Sequence, residues 1–309
     1  MKRVIITGGT GFIGANLARR LLKEGHDLHL LVRPDYNPWR IEEIKNDVRL
    51  HLVELADAAT LNSVVEQIRP DWIFHLAVYG AYPLQSDAQQ MVQTNIIGTI
   101  NLVEACLRTG FEVFINTGTS SEYGFKDHAP PETEFLEPNN NYAVTKASAT
   151  MFCRYVAQSQ RVHLQTLRLY SVYGPYEEAA RLIPTIIRYG LKGALPPLVN
   201  PCAAHDYIYV DDVLEAYLLV AMKPSQEQGA VYNVGTGIQT SLSELVGAVR
   251  RVMGVSVEPK WGSMPDRNLD TSVWIADNRK IQEALGWRAR YSFEEGFRLT
   301  EQWFRRMLF

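Results

Sequence analysis

Tyr142 and Lys146 lie one helical turn apart in Tyr142-Ala143-Val144-Thr145-Lys146, a segment patterned to open a helix, so both side chains fall on one face. A phenol in water titrates near ~10 and relays protons poorly at neutral pH unless a neighbouring cation stabilises its phenolate. Lys146 can supply that cation. Upstream, Thr117-Gly118-Thr119-Ser120-Ser121-Glu122-Tyr123-Gly124 follows the apolar run Val113 to Ile115. A hydroxyl from Thr119 or a neighbouring serine can hold a substrate oxygen while Tyr142 gives or takes its proton and a nicotinamide moves hydride. Taken alone, the Tyr/Lys pair also fits an exposed i,i+4 contact on a helix surface. A second motif is needed to give it a catalytic meaning.

That motif stands at the start of the chain. Val4-Ile5-Ile6 leads into Thr7-Gly8-Gly9-Thr10-Gly11-Phe12-Ile13-Gly14, and Leu17, Leu21 and Leu22 then follow a helical pattern, which reads as strand, glycine turn, helix. Gly8 permits the tight turn, Gly11 lets a pyrophosphate approach the backbone, and Gly14 lets the helix pack close to the strand. Gly8, Thr10, Gly11, Phe12, Ile13 and Gly14 are therefore expected to hold a dinucleotide, with helix N–H groups aimed at its phosphates. The segment after the second strand selects the cofactor. An acidic residue there usually accepts hydrogen bonds from the adenosine ribose, whereas an arginine suits a 2′-phosphate. This chain has Arg33, and Arg40 follows, so two guanidinium groups can reach one phosphate. NADP(H) is the expected cofactor. The alternative has Arg33 capping the strand in solvent and Asp35 binding the ribose of NAD.

The elements that must position these residues alternate along the chain. Strands are expected near 2–6, 27–32, 48–53, 71–75, 111–116 and 162–168, with helices near 12–24, 57–69, 87–109 and 142–160. This alternation predicts an α/β fold, a Rossmann-type doubly wound parallel sheet with its cofactor at the carboxyl ends of the strands. After Pro175 the pattern breaks, and Pro184, Pro196, Pro197 and Pro201 punctuate the next stretch. A helix from about 211 to 222 and a strand at 230–234 are expected to return to the sheet. The division expected is an NAD(P)-binding Rossmann domain of 1–175 plus about 206–235, and a smaller, discontinuous substrate-binding lobe of about 176–205 plus 236–309. Asp211-Asp212 resembles a catalytic carboxylate pair, but is expected to cap the helix that follows.

Composition sets limits. With 309 residues, 46% hydrophobic and 21% charged, the chain can bury a large core. The net charge of −3 is dispersed, so neither nucleic acid nor an anionic membrane is an expected partner. Met1-Lys2-Arg3 leads straight into the first strand and no apolar stretch reaches the length of a membrane span, which predicts a cytoplasmic location. Cys106, Cys153 and Cys202 are isolated and odd in number, so buried thiols are expected rather than disulfides or a metal site. Histidines such as His29 and His163 are scattered and read as structural.

Together the motifs resemble the extended short-chain dehydrogenase/reductases, the nucleotide-sugar epimerases, dehydratases and ketoreductases, over essentially the whole chain. Besides the glycine loop and the Tyr/Lys helix, the likeness rests on His75-Leu76-Ala77 and Asn95-Ile96-Ile97-Gly98-Thr99. It continues through Arg168-Leu169-Tyr170-Ser171-Val172-Tyr173-Gly174-Pro175, Asp206-Tyr207-Ile208-Tyr209-Val210-Asp211-Asp212, Tyr232-Asn233-Val234-Gly235-Thr236-Gly237 and Leu285-Gly286-Trp287. The resemblance implies that Thr119, Tyr142 and Lys146 are catalytic, and that Leu76, Ala77, Tyr142 and Lys146 also line the cofactor.

The same likeness narrows the reaction. In the family's 4,6-dehydratases an Asp-Glu pair follows the hydroxyl residue; here Ser120 and Ser121 stand there and cannot do carboxyl acid/base work. Arg33 favours an NADPH-dependent ketoreductase acting on a nucleotide-linked 4-keto-6-deoxy sugar. The runner-up is a nucleotide-sugar epimerase that retains NAD. A non-catalytic NADP-binding sensor or scaffold on the same fold is the third reading, against which the intact trio argues. Ser120 and Ser121 are expected at the substrate, and Tyr79 and Tyr82 are expected to line a sugar pocket. Ser171 replaces the family's diphosphate-binding asparagine and His205 its arginine; Arg267, with Arg181 or Arg188, is expected to compensate. Relatives of this fold also suggest a homodimer through helices 87–109 and 142–160, using Val92, Ile96, Val103, Met151 and Tyr155.

Overall fold

Apolar strands alternating with amphipathic helices give the order expected from the pattern, in a computed structural model that describes residues 1–309 apart from 83, 224, 265–272 and 309. The chain runs β1 (Arg3–Thr7), α1 (Phe12–Lys23), β2 (Asp27–Val32), β3 (Arg49–Leu52), α2 (Ala58–Ile68), β4 (Trp72–His75), α3 (Ala88–Met91), a π-helix (Val92–Ile97), α4 (Gly98–Thr109), β5 (Val113–Thr119), a 3₁₀ turn (Ser120–Tyr123), α5 (Asn141–Gln160) and β6 (Leu164–Leu169). There follow β7 (Ser171–Tyr173), α6 (Leu182–Gly190), β8 (Ala204–His205), β9 (Tyr207–Tyr209), α7 (Val210–Met222), β10 (Val231–Val234), β11 (Thr240–Ser241), α8 (Leu242–Met253), α9 (Arg279–Leu285) and α10 (Phe293–Leu308). Seven strands form one sheet in the order β10-β6-β5-β4-β1-β2-β3. Pairings from β3 through β6 are parallel, with the order reversing beside β1, which places the switch point of a doubly wound sheet at the glycine loop. Among the described residues, no helix is long and apolar enough to cross a membrane.

The chain divides into two compact units, the first comprising 1–124, 135–169 and 214–232. In it Ile5, Leu31, Ile73, Phe114 and Leu164 bring one face of the sheet against apolar residues of α2, α4 and α5. Strand side chains alternate, so residues two positions further on look to the same face. There the composition turns polar: Thr7, His75, Asn116, Thr166 and Arg168 are all buried. The single helix expected over 87–109 is instead three segments, because the π-helix inserts a wider turn at Asn95 before Gly98 restarts the α geometry. Gly98 has a packing reason as well, since a Cβ there would come within 2.8 Å of Leu55 Cβ.

The second unit comprises 125–134, 170–213 and 233–309. Its hubs are buried carboxylates. Asp206 accepts from Thr236 N, Thr236 Oγ1, Gly237 N and Ala276 N. Asp212 was expected to cap α7, but its oxygens accept from Arg290 N at 2.9 Å and Tyr291 N at 3.2 Å, while its carbonyl takes Trp287 Nε1 at 3.0 Å. The Leu285-Gly286-Trp287 segment is thus tied to the start of α7. One cysteine also departs from expectation: Cys106 and Cys153 are buried, but Cys202 is exposed.

Candidate active site

The glycine loop fits a dinucleotide phosphate. Gly8 has φ +69°, and a Cβ on it would lie 2.6 Å from the backbone of Leu76; a Cβ on Gly14 would lie 2.2 Å from Gly8 O. Both close approaches exclude any other residue, as a loop wrapped tightly around an anion requires. Gly11 is the N-cap of α1 and has no side chain to cap it, so the first-turn N–H groups are oriented for a phosphate.

At the end of β2, Arg33, Asp35, Glu54, Tyr79, Asp87 and Gln90 line a cavity of about 460 Å³. Arg33 is half exposed and its Nε lies 3.5 Å from Asp35 Oδ1. Arg40 is buried, with its guanidinium 4.4 Å from the centre of the Trp39 ring. Tyr79, expected at the sugar, is among the residues that line this cavity. Tyr82 sits half-buried in the next turn, where its carbonyl accepts from Gln85 N. Glu54, Asp87 and Gln90 were not anticipated. Asp87 had a readable signal, since it caps α3 through Gln89 N and Gln90 N.

Thr119 ends β5 and caps the 3₁₀ turn, accepting from Ser121 N at 3.3 Å, while Glu122 reaches back to accept from Thr119 N at 2.9 Å. Thr119-x-x-Glu122 is thus a capping box. Ser120 is buried and Ser121 half-buried. Asn140 caps α5 through Ala143 N, which starts the helix immediately before Tyr142. The helix packs on β5, β6 and the 3₁₀ turn that Thr119 caps. Lys146 is 3% exposed. Burial pushes its ammonium below the usual lysine range, and Glu122, then Cys153, offset part of that. An exposed surface pair is therefore excluded for Lys146.

Two buried networks surround this trio, and neither was anticipated. In the first, Ala77 N donates to Thr7 Oγ1, which contacts His75 Nδ1 at 2.7 Å. His75 Nε2 meets Thr99 Oγ1 at 2.8 Å, and Thr99 donates onward to Asn95 O. Since Thr99 spends its proton on that carbonyl, it accepts from His75, which fixes the neutral Nε2–H form with Nδ1 accepting from Thr7. Burial, with Lys146 adding to it, holds His75 down to about 3. Asn95 then donates to Tyr79 O and Thr145 Oγ1 and accepts from Tyr79 N; Thr145 bonds Tyr142 O. The chain of bonds runs from the glycine loop to the backbone of Tyr142. In the second network, Glu122 accepts from Arg168 Nε at 2.8 Å and Thr150 Oγ1 at 3.0 Å, and Arg168 donates to Tyr123 OH.

The substrate residues expected in the second unit are partly accounted for. Ser171 Oγ and His205 Nδ1 are 3.4 Å apart, so the two positions that depart from the family pattern contact each other. His205 also faces Trp274 and Tyr207, with ring centres 5.9 and 5.7 Å away. Arg181 lies 3.9 Å from Glu177, and Arg188 donates to Ala179 O and Thr185 Oγ1. Arg267 lies outside the described residues.

The model of the NAD dependent epimerase/dehydratase family matches residues 4–235. Over 98% of its length the chain is 29% identical to the trifunctional UDP-glucose 4,6-dehydratase/UDP-4-keto-6-deoxy-D-glucose 3,5-epimerase/UDP-4-keto-L-rhamnose-reductase RHM1 of Arabidopsis thaliana, and it spans about half, 47%, of that protein. The UDP-glucose 4-epimerase of Thermotoga maritima, solved with UDP-glucose, superposes with a TM-score of 0.89 at 27% identity, covering 99% of both chains. The Thermus thermophilus UDP-glucose 4-epimerase, solved with NAD, gives 0.86 at 28% identity over 98% of both.

Proposed function

Because the chain belongs to the NAD dependent epimerase/dehydratase family, we propose that it is an NADPH-dependent ketoreductase acting on the keto group of a nucleotide-linked 4-keto-6-deoxy sugar. The observation that carries this reading is Arg33, which follows β2 where NAD-type relatives of the fold place an acidic residue, and which borders the cavity half exposed. The glycine loop would hold the pyrophosphate, and Arg33 the 2′-phosphate. A nicotinamide held there would supply the hydride. Thr119 Oγ1 positions the sugar oxygen, and Tyr142 delivers the proton that the reduced oxygen needs. Lys146 beside Tyr142 favours the phenolate left behind. The absence of carboxylates at Ser120 and Ser121 supports reduction over dehydration.

A second reading, an epimerase that keeps its NAD, is favoured by one observation: Asp35 pairs with Arg33, and Glu54 and Asp87 line the same cavity, so acceptors for ribose hydroxyls are present. Cofactor titration separates the two. If Arg33 holds a 2′-phosphate, NADPH binds more tightly than NADH by about 1.5–3 kcal/mol, the worth of a hydrogen bond to a charged group, or about tenfold to a hundredfold. Arg33→Asp reverses the order. Equal wild-type affinities, or tighter NADH, would favour the epimerase.

A further inference from the structure

Glu122 and Arg168 form an ion pair with side chains 0% and 4% exposed, directly behind the residues assigned to chemistry. Two charges withdrawn from water are a costly way to fill a core, and apolar side chains of similar size are often as stable or more so. The surrounding chain is nonetheless shaped to admit the pair. Gly118, next to Thr119 and in register with Arg168, has an ordinary strand conformation, yet a Cβ on it would lie 2.7 Å from Glu122 Oε1 and 3.1 Å from Arg168 Cγ. Its missing side chain makes room for these two groups and for Thr166 Cγ2, from which that Cβ would lie 2.9 Å. Every donor on the carboxylate is accounted for: Thr119 N and Thr150 Oγ1 on one oxygen, Arg168 Nε on the other.

We propose that Glu122 is a positioning residue of this site: with its carboxylate fixed by Arg168, it holds the Thr119 backbone and serves as the counter-charge of Lys146. The groups acting on Lys146 come from each packed element. Thr150, one helical turn after Lys146 on α5, donates to Glu122 Oε1 at 3.0 Å and so sets the carboxylate of the 3₁₀ turn against that face of the helix. Tyr142 and Cys153 lie on the same face, and His75 acts on Lys146 from β4. His75 is held neutral by its two threonines, and burial keeps the Cys153 thiol protonated at neutral pH, pushed up to about 12. That leaves Glu122 as the anion among them, and it opposes the burial that lowers Lys146.

The inference rests on Thr119, Tyr142 and Lys146 being the reacting trio. Its test follows the Nζ resonance of Lys146 against pH in lysine-labelled protein, assigned with Lys146→Arg. Glu122→Gln keeps an acceptor for Thr119 and Thr150 but removes the charge. The double variant Glu122→Leu/Arg168→Met removes both charges of the pair, so that no buried guanidinium is left without its carboxylate while Lys146 still loses its counter-charge. In either variant, folded by circular dichroism, the Lys146 midpoint is expected to fall by one pH unit or more. An unchanged midpoint in a folded variant overturns the proposal, and so does failure of both variants to fold, which would make the pair structural. Full turnover by Tyr142→Phe would instead refute the trio, and leaves the Lys146 titration readable.

Discussion

Tyr142→Phe removes a proton and leaves the ring, so kcat is expected to fall by on the order of 10²–10⁴ with nicotinamide affinity nearly intact. Steady-state kinetics beside cofactor titration check this, and full turnover would remove Tyr142 from the mechanism. Lys146→Ala is expected to weaken cofactor binding as well; equal, chemistry-only defects in both variants would contradict that dual role. The Tyr142/Lys146 spacing was legible because it is local, one turn of α5. Glu122, His75 and Asn95 were quoted in motifs without a role, since what defines them is a partner distant in sequence. Arg168 is 46 residues from Glu122, and Thr145 is 50 from Asn95. Sequence spacing carries no such information. Arg40 could be placed near Arg33 by its distance along the chain, but not on the ring of its neighbour Trp39, where its guanidinium rests.

Among the elements, the β1–loop–α1 unit is the most constrained by sequence. Gly14→Ala would drive a methyl group into Gly8 O, and is expected to destabilise the protein by about 1–3 kcal/mol and weaken dinucleotide binding together. Urea unfolding beside cofactor titration tests it; a stable variant with unimpaired binding would contradict the tight-turn role. The strands of the main sheet matched the periodicity within about three residues, as expected where one pattern marks each element. The π-helix had no such mark, because its wider turn is imposed by the fit of Asn95 between Tyr79 and Thr145. For the dimer proposed through the helices at 87–109 and 142–160, Val144, Met151 and Tyr155 of α5 are exposed along one face, the last two at 65% and 67%. Val103, expected to face outward, is fully buried, because α4 turns it into the sheet-facing core. Sedimentation should show a dimer at micromolar concentration that Met151→Glu with Tyr155→Glu dissociates; a wild-type monomer would contradict it.

For the molecule as a whole, the buried His75 couples stability to pH. Its native value is about 3 against 6.5 for an ordinary imidazole, so between these values the unfolded chain binds the extra proton. Stability is therefore full above about pH 6.5 and is lost as pH falls toward 3, at up to about 1.4 kcal/mol per pH unit from this group. Urea unfolding at successive pH values should show that slope, and His75→Gln should flatten it; an unchanged slope would contradict the assignment. Fold class was legible at this scale because seven strands and their helices repeat one pattern, whereas the reaction depends on a few side chains at its edge. The most direct test of the reaction is a stoichiometry. With a nucleotide-linked 4-keto-6-deoxy sugar, the protein should oxidise one NADPH for each sugar reduced, and NADH should serve about tenfold less well or worse. Interconversion of a nucleotide sugar with no net change in nicotinamide, by protein that carries NAD through purification, would contradict the account and establish the epimerase.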